Sequence, residues 1–200
     1  MEKPETKASL LVAATNDKVA AQIRSLLPGG FSKISCMSSL QKVRQTLSME
    51  QYDILLIYTP LPDDSGVNTA MEMVAKFPYM GILLIVPKET YQETVYRVGS
   101  AGIMVLPRPL SVQSFTSSVQ CLIIMERRLK ELSLENEKLE KKLQDERYIS
   151  RAKALLIERK QMTETDAHKY LEHTAMNQGL TRREVAIRVI RENGRIIVNT

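Results

Sequence analysis

Five short apolar runs, each followed by a helical pattern, constrain the first part of this 200-residue chain more than anything else in it. LLVAA (10–14), FSKISC (31–36), ILLIY (54–58), GILLIV (81–86) and IMVLP (103–107) read as strands, the second alternating and the others largely apolar throughout. Between them apolar residues recur with the period of a helix. The first helix has Val19, Ala20, Ile23, Leu26 and Leu27 behind a capping Asn16, and the second has Leu40, Val43 and Leu47. Two more follow, one through Ala70 to Lys76 and one near 90–98. Strands apolar on both faces and separated by helices indicate a parallel sheet covered on both sides. Five such units predict an α/β, flavodoxin-like doubly wound domain, with ligands at the carboxyl ends of the strands.

The third strand runs into a loop, DILLIYTPLPDDSG (53–66), and the fifth ends in Arg108-Pro109. The spacing of Asp53, Tyr58 and Gly66 resembles the receiver domain of response regulators, apart from the prolines, which fall at Pro60 and Pro62. The resemblance covers the whole first domain. It implies that Tyr58 stands where the family has its phosphoacceptor aspartate. Ala13 and Ala14 stand in place of two acids that would hold Mg²⁺, a hard cation that needs carboxylate oxygens. Val86 replaces a hydroxyl residue, Val105 an aromatic switch and Arg108 a phosphate-binding lysine with different geometry. Taken together these changes imply a degenerate pseudo-receiver that is not phosphorylated and is left to dock a protein partner or ligand. Tyr58 reads as an aromatic filling the vacated pocket, or else as a tyrosine phosphosite. Asp63 and Asp64 read as turn residues beside Gly66, or else, with Asp17, as a divergent cation site.

No proline or glycine occurs between Leu110 and Gly179, so one long helix is expected over 111–150 and on towards a polar turn near 160. Leu122, Met125, Leu129, Leu132, Asn136, Leu139 and Leu143 alternate at steps of three and four, an a/d heptad with Asn136 at an a position. Such a seam predicts a homodimer through a coiled coil. In parallel register Glu135 would face Glu140 and Lys142 would face Arg147, both repulsive, so a single helix packing on its own domain is the competing reading. The expected division is 1–120 for the pseudo-receiver, 121–148 for the coil and 149–200 for a third module.

That module has three helical patterns. Ala152, Leu155 and Leu156 continue the long helix. Thr163 with Asp166 opens a second, with Ala167, Tyr170, Leu171 and Ala175 inward and Gly179 as its stop. Thr181 with Glu184 forms a capping box for a third, carrying Val185, Ala186, Val189 and Ile190 and ended by Gly194. AKALLIER (152–159), TETDAHKYLEHTAM (163–176) and LTRREVAIRVI (180–190) resemble the ANTAR domain, the RNA-binding output module of antitermination regulators. The resemblance implies that the protein recognises paired RNA stem-loops and prevents a terminator hairpin from forming. Arg151, Lys153, Arg159, Arg182, Arg183 and Arg188 lie mostly off the apolar faces and can meet phosphates, while Thr181 can meet base edges.

Charge points the same way. Residues 151–200 hold ten Lys/Arg, Arg195 among them, against six acids, most of the chain's net charge of +5. No run approaches the length of a membrane span, and the first residues have no signal-peptide core, so a cytoplasmic protein without a membrane partner is expected. Cys36 and Cys121 read as buried small hydrophobes in a reducing compartment. His168 and His173 have no metal or nucleophile partner and read as surface residues. No catalytic constellation, phosphate loop, metal site or cofactor is predicted. Two alternatives remain open: a helix-turn-helix DNA-binding regulator, since NQGLTRREVAIRVI scans as a turn and second helix, and a protein-interaction scaffold.

Overall fold

A computed structural model describes residues 7–194 and separates the chain into two compact units, the first ending at Glu131 and the second beginning at Leu132. The first contains β1 (Ser9–Ala13), α1 (Asp17–Leu26), β2 (Lys33–Met37), α2 (Leu40–Met49), β3 (Ile54–Tyr58), α3 (Val67–Lys76), β4 (Gly81–Pro87), α4 (Tyr91–Val98) and β5 (Met104–Arg108). Next comes α5 (Val112–Lys160), which enters the second unit. The five strands pair in parallel in the order β2-β1-β3-β4-β5. This is the doubly wound sheet expected.

Successive strand side chains point to opposite faces, and both faces here are covered. Leu11, Leu55, Ile57 and Leu84 pack under α2, α3 and α4. Leu10, Leu56, Leu83 and Ile85 pack under α1 and the first turns of α5. β2 starts at Lys33 rather than 31, and Ser32 before it donates its N–H (2.9 Å) and Oγ (3.2 Å) to the Ala8 carbonyl.

One heptad assignment needs correction. Leu122 is buried (4% exposed) with Phe115 and Val119 against the sheet, so it cannot serve an intermolecular seam. A Cβ on Gly81 would stand 3.3 Å from the Leu122 Cβ, so the absence of a side chain there lets α5 approach closely. A helix lying on a sheet and a helix in a coil share the same three-and-four spacing, and the sequence pattern does not separate them. This packing carries the first unit past 120.

One turn on, α5 presents Glu126, buried (6% exposed), and Lys130. The Lys130 ammonium bridges Glu126 and Asp53, and Asp53 also accepts from the Ser9 N–H (2.6 Å) and Oγ (2.7 Å). This cluster ties α5 to the residues that start β1 and β3. Burial pushes the Asp53 carboxyl up, but hydrogen bonds from Lys130 and Ser9 outweigh it and hold the group below its ordinary range. Burial pushes Glu126 up, and Lys130 only partly opposes it.

In the second unit the end of α5 packs with α6 (Glu164–Gln178) and α7 (Arg182–Gly194) around Ile149, Ala152, Leu156, Leu171, Val185 and Val189. The caps are those read from sequence. Thr163 accepts from Asp166 N (3.1 Å), and Gly179 closes α6 at φ 64°, a left-handed conformation that suits glycine. Thr181 and Glu184 exchange hydrogen bonds at 2.8 and 3.2 Å, a reciprocal capping box. Met125, Leu129, Leu132, Leu139 and Leu143 are all exposed, between 42% and 61%.

Candidate functional site

The carboxyl ends of the strands form an apolar floor where the receiver resemblance expects a metal and an acyl phosphate. Ala13, Ala14 and Val86 are buried and Val105 is half-buried. Tyr58, half-buried, ends β3, and the Arg108 guanidinium lies over its ring at 4.8 Å, with Nη1 3.4 Å from the hydroxyl. The two side chains are thus stacked on each other at the ends of β3 and β5. Thr59, next to it, is buried and donates to the Ile85 carbonyl (3.1 Å). Its Cγ2 would stand 2.9 Å from a Cβ on Gly66, which at φ 88° is both crowded and left-handed, so glycine is required there. The peptide bonds before Pro60 and Pro109 are cis.

The loop acids are engaged at the starts of α2 and α3. Asp63 accepts from Leu40 N (3.1 Å) and Gln41 N (2.9 Å), adding a second cap to α2. Asp64 accepts from the Thr69 Oγ1 (2.7 Å) and Gly66 N (3.2 Å) and lies 3.6 Å from Arg44. Desolvation pushes each carboxyl up, but these hydrogen bonds outweigh it and hold both below the ordinary range. Asp17 sits in the first turn of α1, exposed. Among the described residues no three His, Cys, Asp or Glu side chains are grouped as metal ligands would be. The reach of Asp63 to α2 was not legible beforehand, because its partners lie 22 and 23 residues away.

In the second unit the basic residues singled out from sequence divide into two sets. Three form ion pairs across the three helix contacts: Lys153 of α5 with Glu164 of α6 (3.1 Å), Arg182 of α7 with Glu172 of α6 (3.3 Å), and Arg183 of α7 with Asp145 of α5 (3.1 Å). Glu164 is 77% exposed and Glu172 49%, so the first two pairs are weak and open to exchange. Arg183 is less exposed than Arg182 and also lies over the Tyr148 ring at 5.6 Å, with its Nε buried beside Asp145 but not hydrogen-bonded. Arg188 reaches the Gln178 side chain, and the Thr181 hydroxyl is engaged by Glu184. Arg151 and Arg159 form the other set. Both are exposed on α5, without an ion pair or hydrogen bond among the described residues. Lys169 and Arg191 are exposed in the same way and were not singled out from sequence. Only their position off the apolar stripes could have flagged them. Arg195 lies outside the described residues.

Comparison with known proteins agrees with both halves. A model of the ANTAR domain matches residues 137–190. The transcriptional regulatory protein PdtaR of Mycobacterium tuberculosis is 24% identical over 147 residues, covering 73% of this chain and 71% of that protein. Among solved structures, the signal receiver domain of an HD domain-containing protein from Pseudomonas fluorescens Pf-5 superposes with a TM-score of 0.59. It shares 13% identity and covers 66% of this chain and 97% of its own. A CheY-like receiver domain from Methanospirillum hungatei gives a TM-score of 0.54 at 13% identity, covering 62% and 99%. The first unit therefore has the receiver fold. With an ANTAR domain behind it, the chain has the organisation of an ANTAR response regulator.

Proposed function

We propose that the protein binds stem-loop RNA through its ANTAR domain and acts in transcription antitermination without phosphorylation of its receiver. The observation that carries the RNA reading is the set of unpaired exposed cations, Arg151, Arg159, Lys169 and Arg191, on a domain matched to ANTAR. Cations without protein partners are available to phosphates at no cost in broken pairs, and such contacts give affinity that falls with salt. Lys153 and Arg182 join them when a phosphate displaces an exposed carboxylate. Phosphorylation-independence is supported by the stack of Tyr58 and Arg108 at the acceptor position and by the engagement of Asp63 and Asp64.

The exposed stripe from Met125 to Leu143 supports a homodimer, because an apolar seam this regular is stable when a second helix covers it. Asn136 would set its register. No helix among the described residues is long and apolar enough to cross a membrane, and a regulator of nascent RNA works in the cytoplasm. We assign the chain no enzymatic role.

The test is competition. Labelled stem-loop RNA bound to the full chain should be displaced by unlabelled RNA and not by duplex DNA of equal length. Charge reversal at Arg151 and Arg159 together should weaken RNA binding by about 1.5–3 kcal/mol per lost charge-assisted contact. Equal displacement by DNA favours the helix-turn-helix reading, and failure to bind any nucleic acid at moderate salt favours the scaffold.

A further inference from the structure

At the amino ends of β3 and β4, opposite the Tyr58 end of the strands, the first unit has a cleft of about 190 Å³. Its buried floor is Leu47, Tyr52 and Met80, and Phe77 and Tyr79 stand at its sides. The Tyr52 hydroxyl is already hydrogen-bonded to Ser35 (2.8 Å) and Glu50 (3.0 Å), which leaves its ring as wall. An apolar cavity of about 150 Å³ accepts a benzene ring, so this cleft has room for one substituted ring.

The charges at its rim decide which ring. Lys130 is bridged to two carboxylates, and Asp53 already takes Lys130 and both Ser9 donors, so neither is free for a ligand. Lys76 is exposed, 5.6 Å from the Phe77 ring centre, with no ion pair or hydrogen bond among the described residues. Lys76 is therefore the rim cation left without a carboxylate partner among the described residues, and it stands beside an aromatic wall. We propose that this cleft binds a small aromatic carboxylate, with the ring among Tyr52, Phe77 and Met80 and the carboxylate on Lys76. Concave apolar sites with a few fixed polar groups are the usual form of a small-molecule site. Lys130 lines the cleft from α5, so the ligand touches the helix that leads to the ANTAR domain. The site is independent of the RNA reading and stands or falls without it.

Isothermal titration of the full chain with benzoate, benzamide and benzylamine tests it. Benzoate is expected to bind saturably at one site per chain, about two- to fivefold tighter than either neutral benzamide or cationic benzylamine, as one exposed ion pair gives. Lys76→Gln, an exposed substitution that leaves the floor intact, is expected to remove that preference and bring benzoate to the level of benzamide. The proposal is overturned if no saturable benzoate binding is found, if benzamide or benzylamine binds as well as benzoate, or if Lys76→Gln keeps the preference.

Discussion

Replacing Leu122 by alanine separates two roles that its place in the heptad confounds. The side chain is 4% exposed, packed with Phe115 and Val119 and seated on Gly81. The substitution deletes three carbons, about 2.4 kcal/mol at 0.8 kcal/mol for each buried methylene. The cavity left behind adds to this, and buried leucine-to-alanine changes cost about 2.7–5 kcal/mol in total. For a unit of this size that is a fall in Tm of about 10–18 °C. Leu139→Ala, at a site 56% exposed, should leave the melting of the first unit unchanged and weaken self-association instead. Urea denaturation followed by circular dichroism, with sedimentation on the same samples, reads both effects. If Leu122→Ala dissociated a dimer while leaving the melt unchanged, its assignment to the sheet-facing core would be refuted.

Lys130→Met should leave Asp53 and Glu126 facing each other without a counter-ion. Half of the Lys130 side chain is exposed, so the cost at pH 7 should be about 1–3 kcal/mol, less than for a fully buried pair. In the wild type Asp53 is held low, so its stabilisation is present above the carboxylate range and lost as pH falls through its folded value. Glu126 is held high, so its charge costs stability near neutrality and the cost fades as it takes up a proton. In the mutant both groups gain protons more readily, and the gap to wild type should narrow from about pH 6 to pH 4; a gap independent of pH would argue against the cluster. Arg183→Gln should lower the Tm of the second unit, since it loses Asp145 and the Tyr148 stack, whereas Arg151→Gln should leave the melt unchanged. Equal melting of the two variants would remove the distinction between tying and free cations. Tyr58→Asp should gain no phosphoryl mass with Mg²⁺ and acetyl phosphate and should melt lower than wild type, because it loses packing against Arg108 and places a charge on an apolar floor. An added phosphoryl mass on either protein would contradict the reading of the vacated site.

Local rules made much of this molecule legible. The three central strands β1, β3 and β4 are buried on both faces, so their apolar runs stand out, and the caps at Asn16, Thr163 and Thr181 bind partners only three residues away. Motif positions likewise located Tyr58 and Arg108 as one site, 50 residues apart. What stayed hidden depends on long-range neighbours. The partners of Asp53 on β1 and α5, the reach of Asp63 to α2 and the hold of Asp145 on Arg183 have no periodicity to announce them. For the same reason Arg183 read like Arg151, although one ties helices together and the other is free.

The most direct measurement is sequencing of the nucleic acid that co-purifies with the full chain from cells, with RNA and DNA recovered in parallel. The account predicts enrichment of RNA containing paired stem-loops beside a terminator hairpin, lost when Arg151 and Arg159 are reversed in charge. Enrichment of duplex DNA, or of no nucleic acid above background, would contradict it.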